Sequence, residues 1–125
     1  MKWMLIAGAV LGALGVAAGA FGAHALEGVL SERARGWYDT AVTYHGRHAL
    51  ALLACGLLSL HAGGSGGGAT GVAAVAFTGG VVLFSGSLYL MAFTGWTRLG
   101  MVVPLGGALL IVGWVALAIA ALRLP

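Results

Sequence analysis

Four long apolar stretches alternate with short polar ones along the chain. The first covers residues 3–25, carries no charge and has His24 as its one strongly polar side chain. About 20 apolar residues are enough to cross a bilayer as a helix, so this stretch predicts a membrane span. Gly8, Gly12, Gly15, Gly19 and Gly22 recur in it at spacings of four, three, four and three. A ridge of such small residues lets a neighbouring helix come very close. A cleaved signal peptide is the alternative: Met1-Lys2 resembles a short basic leader and Ala23-His24-Ala25 has the small-x-small form of a cleavage site. The apolar run exceeds the usual leader core of about 7–15 residues, and the glycine ridge gives it a use in the folded chain. Both points favour a retained helix.

The next stretch, Glu27 to Arg47, holds most of the charge. Ser31 suits an N-cap, with a helix entering at Glu32. Glu32, Arg35 and Asp39 stand three and four apart, so they pair on a helix surface. Trp37, Tyr44 and His48 fall on one helical stripe, and Tyr38 and His45 on another. The helix runs on into apolar residues 49–60. Residues 31–41 are expected at the interface, with Trp37 and Tyr38 as aromatic anchors, and residues 42–61 inside the membrane. His61 to Thr70 reads HAGGSGGGAT, a flexible linker whose side-chain chemistry is limited to His61 and Ser65.

A third span is expected over residues 71–93, with Gly79 and Gly86 a heptad apart. Thr94-Gly95-Trp96-Thr97-Arg98 is long enough only for a tight antiparallel turn. A fourth span is expected over residues 99–122, where Gly100 and Gly107, and Gly106 and Gly113, repeat at seven residues. Pro104 inside it should free the Gly100 carbonyl and kink the helix. The prediction is one all-α membrane domain over residues 1–125: four transmembrane helices in an antiparallel up-down bundle with glycine-rich seams. Arg47 and Arg98, each near the start of an even-numbered span, give a faint two-by-two echo.

Composition agrees with this pattern. Of 125 residues, 61% are hydrophobic and 7% charged, and the mean hydropathy is +1.04. A soluble domain carries about a quarter charged residues, and disorder requires low hydrophobicity with high charge. The net charge of +3 forms no basic patch with interleaved aromatics, so no nucleic-acid partner is expected. Basic residues here report orientation instead. Arg33, Arg35, Arg98 and Arg47 outnumber Lys2 and Arg123, which places both termini outside the cytoplasm by the positive-inside rule. The single Cys55 excludes an internal disulfide or a paired-cysteine motif. No P-loop, HExxH or nucleophile elbow occurs.

The topology gathers polar residues at one membrane face. His24 comes from the first helix, and Tyr44, His45, Arg47 and His48 from the second. Ser85, Ser87 and Tyr89 come from the third and Arg98 from the fourth, with Pro104 about a turn deeper. Ser85 and Tyr89 are four apart and share a helix face. Ionisable residues inside a span suggest a functional site. Near helix ends the same residues also serve as snorkelling anchors, and Ser85 can bond its own preceding turn. His24, His45 and His48 can in principle hold a metal or haem iron. No embedded carboxylate joins them, and neither a metal nor a cofactor is expected. Transport is a further reading, with Pro104-Leu105-Gly106-Gly107 as a helix break, although no buried carboxylate offers ion coupling.

Several motifs together resemble a known family. They are Gly-Ala-Phe-Gly-Ala-His-Ala-Leu at residues 19–26, Tyr44 with His48-Ala49-Leu50, Leu83-Phe84-Ser85-Gly86-Ser87-Leu88-Tyr89, Pro104-Leu105-Gly106-Gly107, and Gly113-Trp114. The combination, spread over nearly the whole chain, resembles the small membrane-protein family called domain of unknown function 423, or transmembrane protein 256-like. The resemblance implies a bacterial inner-membrane protein with relatives in eukaryotes, and a retained first helix. It implies no established activity or catalytic residue. His24, Tyr44, His48, Ser85, Ser87, Tyr89 and Pro104 match the family pattern; His45 and Arg47 are not assigned to it, and the Gly-Ser loop is peculiar to this chain.

The expected function is non-enzymatic: a structural, accessory or lipid-interacting membrane protein acting through close helix packing. Membrane lipids are the expected partners, with a homo-oligomer or a larger membrane complex. The alternative is a binding or transport protein for a lipid, quinone, haem or metal at the polar cluster.

Overall fold

Each apolar stretch forms a helix in the computed structural model, which describes residues 2–64 and 67–125. Met1 of the leader reading and Ser65 of the linker lie outside the described residues. The helices are α1 (Lys2–His24), α2 (Glu32–His61), α3 (Gly68–Thr94) and α4 (Val103–Leu122), with a short 3-10 helix at Thr97–Met101 before α4. No strand occurs among the described residues. Three segments, Lys2–His24, Gly68–Thr94 and Thr97–Leu122, are long and apolar enough to cross a membrane. α2 is as long as any of them, with 30 residues, but its first half is polar.

The helix ends follow from local chemistry. The Ser31 hydroxyl accepts from the Ala34 N–H at 3.1 Å and caps α2, as the sequence predicts. Arg35 donates to the Gly22 carbonyl in the last turn of α1 and pairs with Asp39 at 2.9 Å. A cation there meets carbonyls that have no helical partner. Arg35→Ala is expected to lower stability by about 1 kcal/mol and to speed amide exchange around Phe21–Leu26; unchanged exchange would remove this role. Gly95 closes α3 with φ 70°, its N–H donating to the Met91 carbonyl at 2.8 Å.

The helices pack in chain order and antiparallel: α1 on α2, α2 on α3, α3 on α4. Two glycine seams set the close approaches. On α1, Gly8, Gly15 and Gly22 are buried one heptad apart and face Leu53, His45 and Tyr38 of α2. On the α3–α4 side, a Cβ on Gly80 would stand 2.5 Å from Leu110, and one on Gly113 would stand 2.6 Å from the Phe77 ring. A Cβ on Gly106 would overlap the Phe84 backbone. Between the seams lies one apolar core that includes Met4, Leu52, Cys55 and Phe77, all fully buried.

Several expectations change. α1 makes no extensive contact with α4, so the helices form more of a row than a closed four-helix square. The reason is that the α1 seam is one-sided: Ile6, Val10, Leu14, Val16 and Phe21 on its other faces are exposed. Gly12 and Gly86 meet nothing within 4 Å and belong to no seam within the chain. Gly19 and Gly107 make only ordinary contacts, 3.5 Å to Val42 and 3.7 Å to the Phe84 ring. Gly80, outside the heptad spacing, makes the close approach to α4 that Gly86 does not. Pro104 does not kink a helix: it sits in the first turn of α4, where its missing N–H costs nothing. The expected fourth span is instead divided at Val102 into a 3-10 and an α segment. α3 begins at Gly68, three residues earlier than expected.

Candidate functional site

The register of the helices fixes the depth of the polar residues. Gly15, in the middle stretch of α1, lies against His45 and Gly46. His24 is nine residues further along α1, about 14 Å at the helical rise. His45 and His48 therefore sit at mid-length of the helices, not at one membrane face. His24 is exposed and joins none of their contacts. Arg98 is exposed on the 3-10 helix, also apart from them. Arg47 stands mid-helix while Arg98 precedes α4, so the two-by-two echo has no structural counterpart.

Two clusters remain. The first uses the Tyr38–His45 stripe of α2. The Tyr38 hydroxyl donates to the Ala18 carbonyl of α1. Its ring meets Tyr89 of α3 edge-on, with centroids 5.4 Å apart. The Tyr89 hydroxyl bonds His45 Nδ1 at 2.9 Å. His45 Nε2 points at the α1 backbone, where a Cβ on Gly15 would stand 3.7 Å away, and it has no hydrogen-bond partner among the described residues. Nearby, the Ser85 hydroxyl donates across to the Ala41 carbonyl at 2.8 Å. Ser85 thus bonds a neighbouring helix and not its own preceding turn. Ser87 is buried but joins neither cluster.

The second cluster uses the Tyr44–His48 stripe. His48 Nδ1 lies 2.7 Å from the Tyr44 carbonyl, and the Trp114 indole N–H donates to His48 Nε2 at 3.0 Å. A carbonyl only accepts and an indole N–H only donates. The proton must therefore sit on Nδ1, which makes His48 a neutral imidazole with both nitrogens used. Tyr44 stacks on His48 at 5.9 Å and packs on Phe84 at 4.5 Å; Phe77 and Trp114 complete the aromatic wall. A groove of about 610 Å³ opens beside this wall between α2 and α4. Arg47 lies at its rim, with its guanidinium 5.9 Å from the Tyr44 ring.

Chemically, this arrangement joins helices. Each bond described crosses from one helix to another, apart from the His48–Tyr44 bond that fixes the tautomer. Among the described residues no group of three or more His, Cys, Asp or Glu is placed to hold a metal, and both His48 nitrogens are occupied. Trp114, Tyr38, Phe84 and Arg35 take part in these contacts, although the sequence reading placed none of them in the polar cluster. Trp114 carried a usable signal: an indole N–H deep in an apolar helix must find an acceptor.

Comparison with known proteins settles the family. The profile of the proteins of unknown function called DUF423 matches residues 18–107. This chain belongs to the DUF423 family. It is 42% identical over 128 residues to a UPF0382 membrane protein of Staphylococcus epidermidis, with 98% of both chains covered. A UPF0382 membrane protein of Bacillus subtilis is 40% identical, again with 98% of both chains covered. One from Haemophilus influenzae is 37% identical over 82% of this chain and 80% of its own. No solved structure matches. The DUF423 match takes in Tyr38, His45, His48, Ser85, Tyr89 and Gly106, and ends before Trp114. The relatives are named as membrane proteins, in keeping with the three apolar helices.

Proposed function

We propose that this DUF423 protein is a non-enzymatic, structural or accessory protein of the bacterial inner membrane, acting through helix and lipid contacts. The observation that carries this reading is the use of the polar cluster as glue. The groups that looked available for chemistry are occupied between helices: Ser85 on Ala41, Tyr38 on Ala18, Tyr89 on His45 and Trp114 on His48. Interhelical hydrogen bonds and close glycine packing are what hold membrane helices together, since lipid is as apolar as leucine. α2 is the fourth span in this reading, with its charged start, residues 32–41, at the interface and its remainder covered by α1, α3 and lipid. α1 is retained, because it supplies the acceptors at Ala18 and Gly22.

Tyr89→Phe tests the glue directly. It leaves His45 with neither nitrogen bonded, which should cost about 1–2 kcal/mol and lower the melting temperature in mild detergent. Unchanged stability together with loss of a bound non-lipid ligand would overturn the reading in favour of a binding site.

The distribution of basic residues supports an orientation. Arg33, Arg35 and Arg98 lie at the end of the molecule opposite both termini, against Lys2 and Arg123 at the terminal end. The positive-inside rule then puts the termini in the periplasm. A reporter fused after Pro125 is expected to be active only as a periplasmic fusion; cytoplasmic activity contradicts this topology.

A further inference from the structure

Among the described residues, Arg47 is the cation inside the proposed spans that the glue does not use. It is exposed, and the one ion pair among the described residues is Arg35–Asp39. Its place in the membrane follows from register. Trp37 stands level with the end of α1, and Arg47 is ten residues further along α2, about 15 Å deeper at the helical rise. That is about half of a hydrocarbon core some 30 Å thick. An unpaired guanidinium at such depth is expensive and faces a functional partner or snorkels outward. Side chains on a helix lean toward its N-terminus, which here means back toward the interface and over Tyr44. Tyr44 lines the same groove, and its hydroxyl makes no hydrogen bond among the described residues.

The α4 wall of that groove has its own pattern. Pro104, Gly107, Ala108 and Ile111 line it, at spacings of three, one and three, so they form a single stripe along the helix. The stripe starts at the interface end of α4 and runs inward. Its small middle residues leave a furrow along the helix axis, apolar throughout.

We propose that this groove seats one anionic phospholipid, with its phosphate on Arg47 and an acyl chain along the α4 stripe. The guanidinium fork matches two phosphate oxygens, and the Tyr44 hydroxyl supplies a further donor. Charge complementarity selects an anionic headgroup over a zwitterionic one, and the furrow accommodates a single flexible chain. Local thinning of the bilayer and snorkelling of Arg47 bring the two charges together. The inference rests on the membrane placement of α2 proposed above.

The test uses the full chain in nanodiscs holding equal phosphatidylglycerol and phosphatidylcholine of matched chains, released and weighed by native mass spectrometry. The wild type should retain one phosphatidylglycerol at least about fivefold over phosphatidylcholine. Arg47→Gln should remove that preference, while Arg123→Gln, at the far end of the molecule, should keep it. Ala108→Trp, at an exposed groove position, should fill the furrow and reduce retention of both lipids. Equal retention of the two lipids by the wild type would overturn the proposal. So would a preference that survives Arg47→Gln, a bound fatty acid in place of phospholipid, or a second copy of the chain covering the groove. A bimane label on Leu50→Cys, at an exposed position of α2, separates the two readings. Quenching by brominated phosphatidylcholine without a phosphatidylglycerol preference sinks the lipid site alone; absence of quenching sinks the membrane placement of α2.

Discussion

Gly106→Ala is expected to prevent normal assembly of the helices, whereas Gly15→Ala should be tolerated. Both glycines lie in heptad seams, and sequence alone ranks them together. The structure separates them. A Cβ on Gly106 would lie 2.7 Å from the Phe84 Cα and closer still to its backbone nitrogen. Backbone cannot swing aside as a side chain can, so α3 and α4 would have to part along their length. Overpacking of this kind costs about 3 kcal/mol or more. At Gly15 the nearest atom would be His45 Cδ2 at 3.6 Å, an ordinary contact. Gly8 falls between the two, because its obstacle is mainly the Leu53 side chain, 2.8 Å away. Melting temperatures in one detergent check the order. Equal loss at Gly106 and Gly15 would contradict the close approach of α4 to α3.

The second large effect belongs to His48 and Trp114. His48→Ala should cost about 3 kcal/mol: it opens a cavity among Phe77, Tyr44 and Trp114 and strands the indole N–H in an apolar setting. Trp114→Phe keeps most of the ring volume and should cost about 1 kcal/mol. If the pair acts through its hydrogen bond, the double variant should show a coupling of about 1 kcal/mol. That lies within the range measured for interhelical bonds in membranes, which average about 0.6 kcal/mol. His48→Gln with Trp114 retained offers an acceptor again and should recover part of the loss. Additive costs in the cycle would mean that the two residues merely pack.

Much of the fold was legible in the chain. Apolar runs of sufficient length marked four helices, and Ser31 marked the start of α2 to the residue. Of the α1 glycine ridge, Gly8, Gly15 and Gly22 face α2. What the chain did not reveal was rotation. Spacing alone cannot say which glycines of α1 and α3 turn toward a neighbour, so Gly12 and Gly86 looked equivalent to their partners. Pro104 was misread because an apolar run continues through Leu99–Met101, and composition does not distinguish a 3-10 turn from an α-helix. The site was half legible. His45 meets Tyr89 with Ser85 nearby, while His48 pairs with Trp114 in a separate cluster, and antiparallel register places both at mid-depth, far from His24 and Arg98. The role of Trp114 is not legible in sequence because it depends on the acceptor opposite it, and that pairing spans 66 positions.

The central claim is that the polar cluster holds helices together and carries no prosthetic group. Native mass spectrometry of the protein released gently from its own membranes tests it most directly. The account predicts the chain, its multiples or a complex with other membrane subunits, carrying phospholipid alone. A haem, quinone or metal at fixed stoichiometry, lost on His48→Ala in a chain that remains folded, would contradict it.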